Sequence, residues 1–513
     1  MEDRLSKLPK GWVWTTFERV ASNDKNAIVD GPFGSNLKLS DYIDDENGVP
    51  VLTTKNLEYG YGKQFVRYIS KDKFQELKRS EVKGGDILVA KIGSCGKVSI
   101  YPENFRSAMI PANLLKMTVH SEIKKLYIFH FINSPFFKNE LENITTATAQ
   151  PAFNVTKFRK LPIPLPPLPE QHRIVAKIEE LFTRLDAGVE ALKKIKVQLK
   201  RYRQAVLKYA FEGKLTQEWR EAHKGELEPA SVLLKRIKEQ RKKEAKGKLK
   251  ELPPIDTSEL PELPEGWEWT RIGLVCSKIQ DGSHFSPKIQ FDAPGDGRYL
   301  YITAKNIKGN GIELSEVTYI DSSFHRAIYS RCNPEKGDVL LIKDGVKTGI
   351  ATVNTLEDEF SLLSSVALFK PNRVGLQHYY LKHFLNSPVG FKMTTEKMTG
   401  TAIKRIILEK VRSAYIPLPS FLEQQKIVEE IESRLSIADN MGKVAEQSLK
   451  QSDRLRQSIL KWAFEGRLVP QDPTDEPAGR LLERIKEEKV KSEAENEKQK
   501  KHKNKKSKQM ELI

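Results

Sequence analysis

Cysteine is scarce here: Cys95, Cys276 and Cys332 are the only three in 513 residues, and none forms a CxxC pair. That excludes a disulfide framework and a four-cysteine zinc site. Long hydrophobic runs are also missing. The densest apolar stretch, Leu126 to Ile132, is far short of the roughly 20 residues that a spanning helix needs. The opening MEDRLSK lacks the apolar segment of a secretory signal. With 39% apolar and 30% charged residues, the chain is expected to be cytoplasmic, with no membrane partner. At about 150 residues per domain the length predicts roughly three units, large enough to bury cores without staples.

Catalytic motifs are missing too. No [ND]PP[YF] stretch grips a flipped adenine, and no FxGxG opens a cofactor fold. GSCGK at 93–97 lacks the four-residue spacer of a phosphate loop, and Val98 stands where Ser or Thr would hold Mg²⁺. The nine histidines include no HExxH, and His378 and His383 are five apart, off a common helix face. Asp44–Asp45 and Glu179–Glu180 fit a solvated surface. The expectation is a chain without an active site or metal of its own.

Positive charge is abundant, at a net +18. Residues 235–250 hold nine Lys/Arg against two Glu, and residues 498–508 hold seven Lys and no acid. Each run has an excess of seven charges, which leaves +4 for the rest. Basicity hints at a polyanion partner, but these runs read first as solvated segments, and 498–508 as a disordered tail.

What the sequence does contain is a long repeat. LPKGWVWT at 8–15 returns as LPEGWEWT at 263–270, and TTKNL at 53–57 as TAKNI at 303–307. GGDILVAKIG at 84–93 returns as KGDVLLIKDG at 336–345, and IPLPPLPEQHRIV at 163–175 as IPLPSFLEQQKIV at 416–428. RYRQAVLKYAFEGKL at 201–215 matches RLRQSILKWAFEGRL at 454–468, and PASVLLKRIKE at 229–239 matches PAGRLLERIKE at 477–487. Such a period is too long for a solenoid. It marks a duplicated two-part module.

The first part of each module mixes short β-rich runs, Val49–Thr53, Asp86–Ala90, Tyr299–Thr303 and Asp338–Ile342, with one helical pattern, Ser121–Phe131 or Gln377–Leu385. The NSP that follows suits a serine cap with proline in the first turn. The second part reads as one long helix. Ile174, Ile178, Leu181, Leu185, Leu192, Ile195, Leu199, Tyr202, Val206 and Tyr209 step by four and three, with Gly188 the one miss. That is a coiled-coil seam. The second copy is weaker: Ile427, Ile431, Ala438, Met441, Ala445, Leu455, Ile459 and Trp462. Ser420 and Glu423 have capping-box spacing, and Gly213 and Gly466 suit left-handed C-terminal caps. The helices are expected over 170–212 and 423–465, pairing antiparallel. The fold class is therefore two mixed α/β domains joined by an antiparallel coiled coil. The boundaries are 1–165 (first domain), 166–215 (first long helix), 216–262 (basic helical linker), 263–419 (second domain), 420–468 (second long helix) and 469–513 (short helix and Lys-rich tail).

This ordered, duplicated set resembles the specificity subunit of a type I restriction–modification enzyme, over about residues 5–490. GPFGSNLK at 31–38, GVPVLTTKNL at 48–57 and QDPTDEPAGRLLERI at 471–485 carry the resemblance further. It implies two target-recognition domains that each read half of a split site in double-stranded DNA. It also implies two modification (methyltransferase) subunits docked on the conserved parts, with restriction/translocase subunits beyond them. S-adenosylmethionine, ATP and Mg²⁺ would belong to those partners, none to this chain. Because the two domains differ in sequence, the target should be asymmetric, unlike the palindromes of two-fold dimers.

Candidate DNA contacts are loop residues of suitable chemistry: Ser35, Asn36 and Lys38; Lys55 and Asn56; Lys305 and Asn306; Lys91 and Lys97; Lys343 and Lys347. Asparagine can bond adenine bidentately, and lysine can reach guanine or phosphate. The competing reading is a recurring TxKN turn that serves the scaffold, with Asn in a left-handed conformation. Two other functions stay open: an enzyme with an unrecognised site, and a coiled-coil tether joining two protein-binding domains.

Overall fold

The computed structural model describes residues 7–244, 255–395, 405–492 and 494, apart from 63, 65, 147, 148 and 259. The lysine run 498–508 and the end of the run 235–250 lie outside them. The chain divides into two compact units. Unit 1 combines residues 1–192 with 447–513, and unit 2 is residues 193–446.

Each unit is built on the same frame. In unit 1, Val13–Thr16 pairs antiparallel with Pro162–Leu165. In unit 2, Glu268–Arg271 pairs with Tyr415–Leu418 in the same way. The repeated LPxGWxW and PIPL motifs are thus the two strands of one ribbon. Between them lies a four-stranded antiparallel sheet, Ile28–Asp30, Leu114–Met117, Ile87–Ala90 and Val98–Ile100 in unit 1. Its counterpart is Cys276–Asp281, Val366–Pro371, Val339–Ile342 and Ala351–Val353. The central runs ILVA and VLLI are buried at all four positions, as expected of strands covered on both faces. One face of each sheet meets the helix Lys125–Ile132 or His378–Asn386. In both units NSP caps the next helix: Ser134 Oγ accepts from the Phe137 amide at 3.2 Å and Ser387 Oγ from Gly390 at 3.0 Å.

The long helices span Leu168–Phe211 and Phe421–Phe464, each 44 residues. Both stop at a left-handed glycine, Gly213 (φ 70°) and Gly466 (φ 69°). The following amides, Lys214 and Arg467, bond back to the Tyr209 and Trp462 carbonyls at 3.0 and 2.8 Å, the 6→1 closure of a Schellman cap. Ser420 Oγ caps the second helix by accepting from the Glu423 amide at 3.1 Å. The other half of the expected capping box is absent. The Glu423 carboxylate instead accepts from Trp267 Nε1, Thr216 Oγ1 and Arg220 Nη1 at 2.8, 2.8 and 2.7 Å. Glu170 takes the matching place in unit 1, accepting from Trp12 Nε1 at 3.0 Å.

The helices run antiparallel within each unit. In unit 1, Arg456 lies over the Phe182 ring and pairs with Asp186, while Arg173, earlier in the first helix, reaches Asp475 beyond the second. In unit 2, Arg203 pairs with Asp439, and Thr216 meets Glu423. The seam carries two corrections. Ile174, Ile178, Ile427, Ile431 and Ile459 are buried, and Leu181, Leu185, Leu192, Ile195 and Leu199 are half-buried. Tyr202, Tyr209, Met441, Leu455 and Trp462, by contrast, are 42–50% exposed. Their seam places fall one residue further on, to Arg203, Ala210, Gly442, Arg456 and Ala463, all buried or half-buried. Val189 likewise replaces Gly188. Small and charged residues hold these places, so hydrophobicity pointed to the neighbouring apolar side chain.

The helix Ala230–Glu244 is not a free linker. Leu233, Leu234 and Ile237 belong to the core of unit 2, and Arg241 Nη1 donates to the Gly273 and Leu274 carbonyls. Its repeat, the helix over 478–492, buries Ala478, Leu481 and Ile485 in the core of unit 1.

Candidate nucleic-acid interface

In each unit the first strand of the four-stranded sheet ends on Asp–Gly, and a loop leaves from there. Asp30 Oδ2 accepts from Lys91 Nζ at 2.6 Å, and Asp281 Oδ2 accepts from Lys343 Nζ at 2.8 Å. Both lysines are buried. A buried charge needs its partner, and stripping one away costs about 3–5 kcal/mol. Burial alone would raise the Asp281 pKa. The Lys343 hydrogen bond, with the charges of Lys343, His284 and Arg331, outweighs it and holds the carboxyl below its usual range. Lys91 and Lys343 therefore fasten the loop base, a correction to their place among the DNA contacts.

The asparagines are corrected in the same sense. Asn56 is buried, its Oδ1 accepting from the Thr53 amide at 2.7 Å and its Nδ2 donating to the Gly60 carbonyl at 3.1 Å. Asn306 repeats this with the Thr303 amide at 3.0 Å and the Glu313 carbonyl at 3.2 Å. The carboxamide that would read adenine already closes a turn. TxKN is the scaffold motif of the competing reading, although no non-glycine residue among those described has a positive φ.

The remaining candidates lie on the surface. Ser35, Asn36, Lys38, Lys55, Lys305 and Lys347 are exposed. Lys97 is exposed and paired with Glu58 at 2.7 Å. In unit 1 the loops enclose an open cleft of about 680 Å³, lined among others by Pro32, Gly34, Thr53, Thr54, Arg67, Ser94 and Asn113. Thus the GPFGSNLK loop, the TTKN turn and the GSCGK loop converge, as their distant places in the sequence did not reveal. Hydrogen bonds assemble the same group in unit 2. The Ser283 amide donates to Leu362 O at 2.8 Å, the Ala304 amide to Ser365 Oγ at 3.3 Å, and the Lys343 amide to Ser365 O at 2.9 Å.

Asp30 and Asp281 were not among the sequence candidates, nor were Arg67 and Asn113. A signal for the aspartates existed: DG stands 61 residues before Lys91 and 62 before Lys343 in the two halves.

One constellation resembles a nucleophile set. His325 Nδ1 lies 3.0 Å from Ser361 Oγ, and its Nε2 lies 3.3 Å from Glu359. The Ser361 hydroxyl is in a fully buried strand, and the Tyr299 ring stacks on His325 at 3.7 Å. A substrate has no path to that oxygen, so the triad logic does not apply. Among the described residues no group of three or more His, Cys, Asp or Glu could hold a metal ion. None of their helices is long and apolar enough to cross a membrane.

The model of the type I restriction modification DNA specificity domain matches twice, over residues 34–201 and 264–441. The chain belongs to this family. Among the similar specificity subunits is that of the Type I restriction enzyme EcoEI of Escherichia coli, 28% identical over 502 residues, covering 86% of this chain and 80% of that one. A chain solved in work on complex assembly and conformational transition of the type I R-M system is 20% identical with a TM-score of 0.63. The match covers 90% of this chain and all of that one. The HsdS subunit from Thermoanaerobacter tengcongensis is 19% identical with a TM-score of 0.55, covering 91% and 100%. Both share the fold. The second copy of the specificity domain contains the Asp281–Gly282 loop, the first begins at residue 34, just past Asp30–Gly31, and each copy runs on into its long helix.

Proposed function

We propose that the chain is the DNA-recognition subunit of a type I restriction–modification complex in the cytoplasm. It reads a split, asymmetric duplex target and performs no chemistry itself. The observation that carries this is the duplicated family domain, in which one strand-end scaffold presents two different surface loops. Ser35, Asn36, Lys38, Lys55 and Lys97 in unit 1 face one half-site, and Lys305 and Lys347 in unit 2 face the other. Lysines on phosphates hold the register, and sequence is read at base edges. The long helices connect the two readings, and their length sets the unread spacer. Two modification subunits, supplied with S-adenosylmethionine, methylate adenine, and restriction/translocase subunits cut with ATP and Mg²⁺.

The test is to express the chain with its modification subunits in a methylation-free host and map methylated adenines genome-wide. A single bipartite, non-palindromic motif is the expected result. An unsplit or palindromic motif, from active partners, would refute the reading.

A further inference from the structure

Two loops of little sequence likeness present the same side chains. Phe33, Lys38 and Leu39 follow Asp30–Gly31, and Phe285, Lys288 and Ile289 follow Asp281–Gly282. Phe33 and Leu39 are 60% and 81% exposed, and Phe285 and Ile289 are 79% and 58% exposed. Lys38 and Lys288 are exposed as well. Single apolar side chains on a surface are ordinary. Their recurrence at one strand end of two divergent domains is not explained by packing, because these rings are outside both cores.

The loop bases are rigid where the rings leave them. A Cβ on Gly31 would collide with the Ile110 carbonyl oxygen, and one on Gly282 with that of Leu362. Gly31 thus lies against the Ile110–Pro111 backbone and Gly282 against the strand Phe360–Leu362, and the aspartate before each is held by a buried lysine. Lys91 Nζ also sits 5.1 Å from the centre of the Phe33 ring. A ring carried from a fixed loop base, with an exposed lysine further along the same loop, suits a surface that is anionic outside and apolar at one spot within.

We propose that Phe33 and Phe285 are specificity-determining residues, each ring contacting a thymine methyl in the half-site read by its own unit. Lys38 and Lys288 hold phosphates beside them. This rests on the DNA-recognition reading above. A phenyl ring has no donor or acceptor and cannot read the hydrogen-bond code of the major groove. The apolar feature displayed there is the C5 methyl of thymine. Lysine–phosphate contacts add affinity without sequence information.

The experiment uses the chain assembled with its modification subunits and its mapped target. Duplexes carry deoxyuridine in place of each thymine in turn, on either strand. Phe33→Ala should lower target affinity about fivefold to tenfold, the effect of losing one direct contact, and leave non-target binding unchanged. One deoxyuridine in one half-site should weaken the wild type similarly and add nothing to Phe33→Ala. Phe285→Ala should behave likewise with the other half-site, and Phe33→Leu should keep part of the preference. Lys38→Ala should weaken target and non-target DNA alike and flatten the salt slope. The proposal is overturned if the phenylalanine variants bind as wild type does, if they lose both DNAs equally, or if no deoxyuridine effect disappears in them. A wild-type complex that selects no target would instead sink the DNA-recognition reading, and this proposal with it.

Discussion

His130 is buried on the helix Lys125–Ile132, its ring 5.8 Å from that of Phe182. Its Nε2 has no hydrogen-bond partner among the described residues. Burial, with the charge of Arg456 added, pushes its pKa down to about 4. In the unfolded chain the same group titrates near 6.5. Between those values the unfolded state holds a proton that the folded state refuses, so stability falls as pH drops through that window. From pH 7 to pH 5 this one group should cost unit 1 about 2 kcal/mol, read from urea unfolding at both pH values. His130→Gln should remove most of that difference. An unchanged slope in the variant would mean that His130 is protonated in the fold. At this scale the sequence was least legible. Lys91, Asn56 and their repeats were visible as recurring polar residues, but burial decides whether such a residue reads DNA or closes a turn. Recurrence in divergent halves was itself the sign of scaffold.

Helix ends were readable because caps are local chemistry: glycine beyond AFE, and serine before the second helix. The seam was readable only where branched apolar residues fill it. From Gly442 onward the second helix puts small or charged side chains at part of the seam: Gly442, Arg456 and Ala463 hold places one residue beyond Met441, Leu455 and Trp462, while Ala445 and Ile459 stay buried in the expected register. Glycines separate these effects. Gly188 is helical with open space where a Cβ would go, and at Gly442 a Cβ would meet only ordinary contacts near Leu199 and Arg203. Gly188→Ala and Gly442→Ala should each raise stability by up to about 1 kcal/mol, the helix-propensity difference. Gly213→Ala should do the opposite, losing more than about 1 kcal/mol, because its φ is positive and its Cβ would strike Pro264. Chemical denaturation of the three variants checks all of this. A destabilised Gly442→Ala would show that the helices pack closer at that position than described.

At the scale of the whole molecule the repeat was legible, but not where its last fragment goes. Read along the chain, residues 469–513 are a short helix and a Lys-rich tail with no place in either domain. PASVLLKRIKE, however, precedes the second domain and packs on it, with the Ala230 amide bonded to Gly266 O at 2.9 Å. The first domain needs the same cover, and the C-terminal copy supplies it: the Ala478 amide bonds to Gly11 O at 2.9 Å. The end of the second long helix joins there, since Phe464 packs edge-on against Tyr127 at 5.2 Å. The frame of unit 1 is therefore Trp12, the Val13–Thr16 and Pro162–Leu165 ribbon, the Glu170 cap and these C-terminal residues. What lies inside that frame, residues 17–160, should be exchangeable for the matching segment of a relative. The hybrid should fold, assemble with the same modification subunits and methylate a site changed in one half only. Truncation after Glu476 should do something different. Loss of buried Ala478, Leu481 and Ile485, at about 1.5–3 kcal/mol for each large side chain, should unfold unit 1 first and abolish the half-site that the hybrid merely altered. If the hybrid changed both halves, or the truncated chain still read both, recognition would not be divided along this frame.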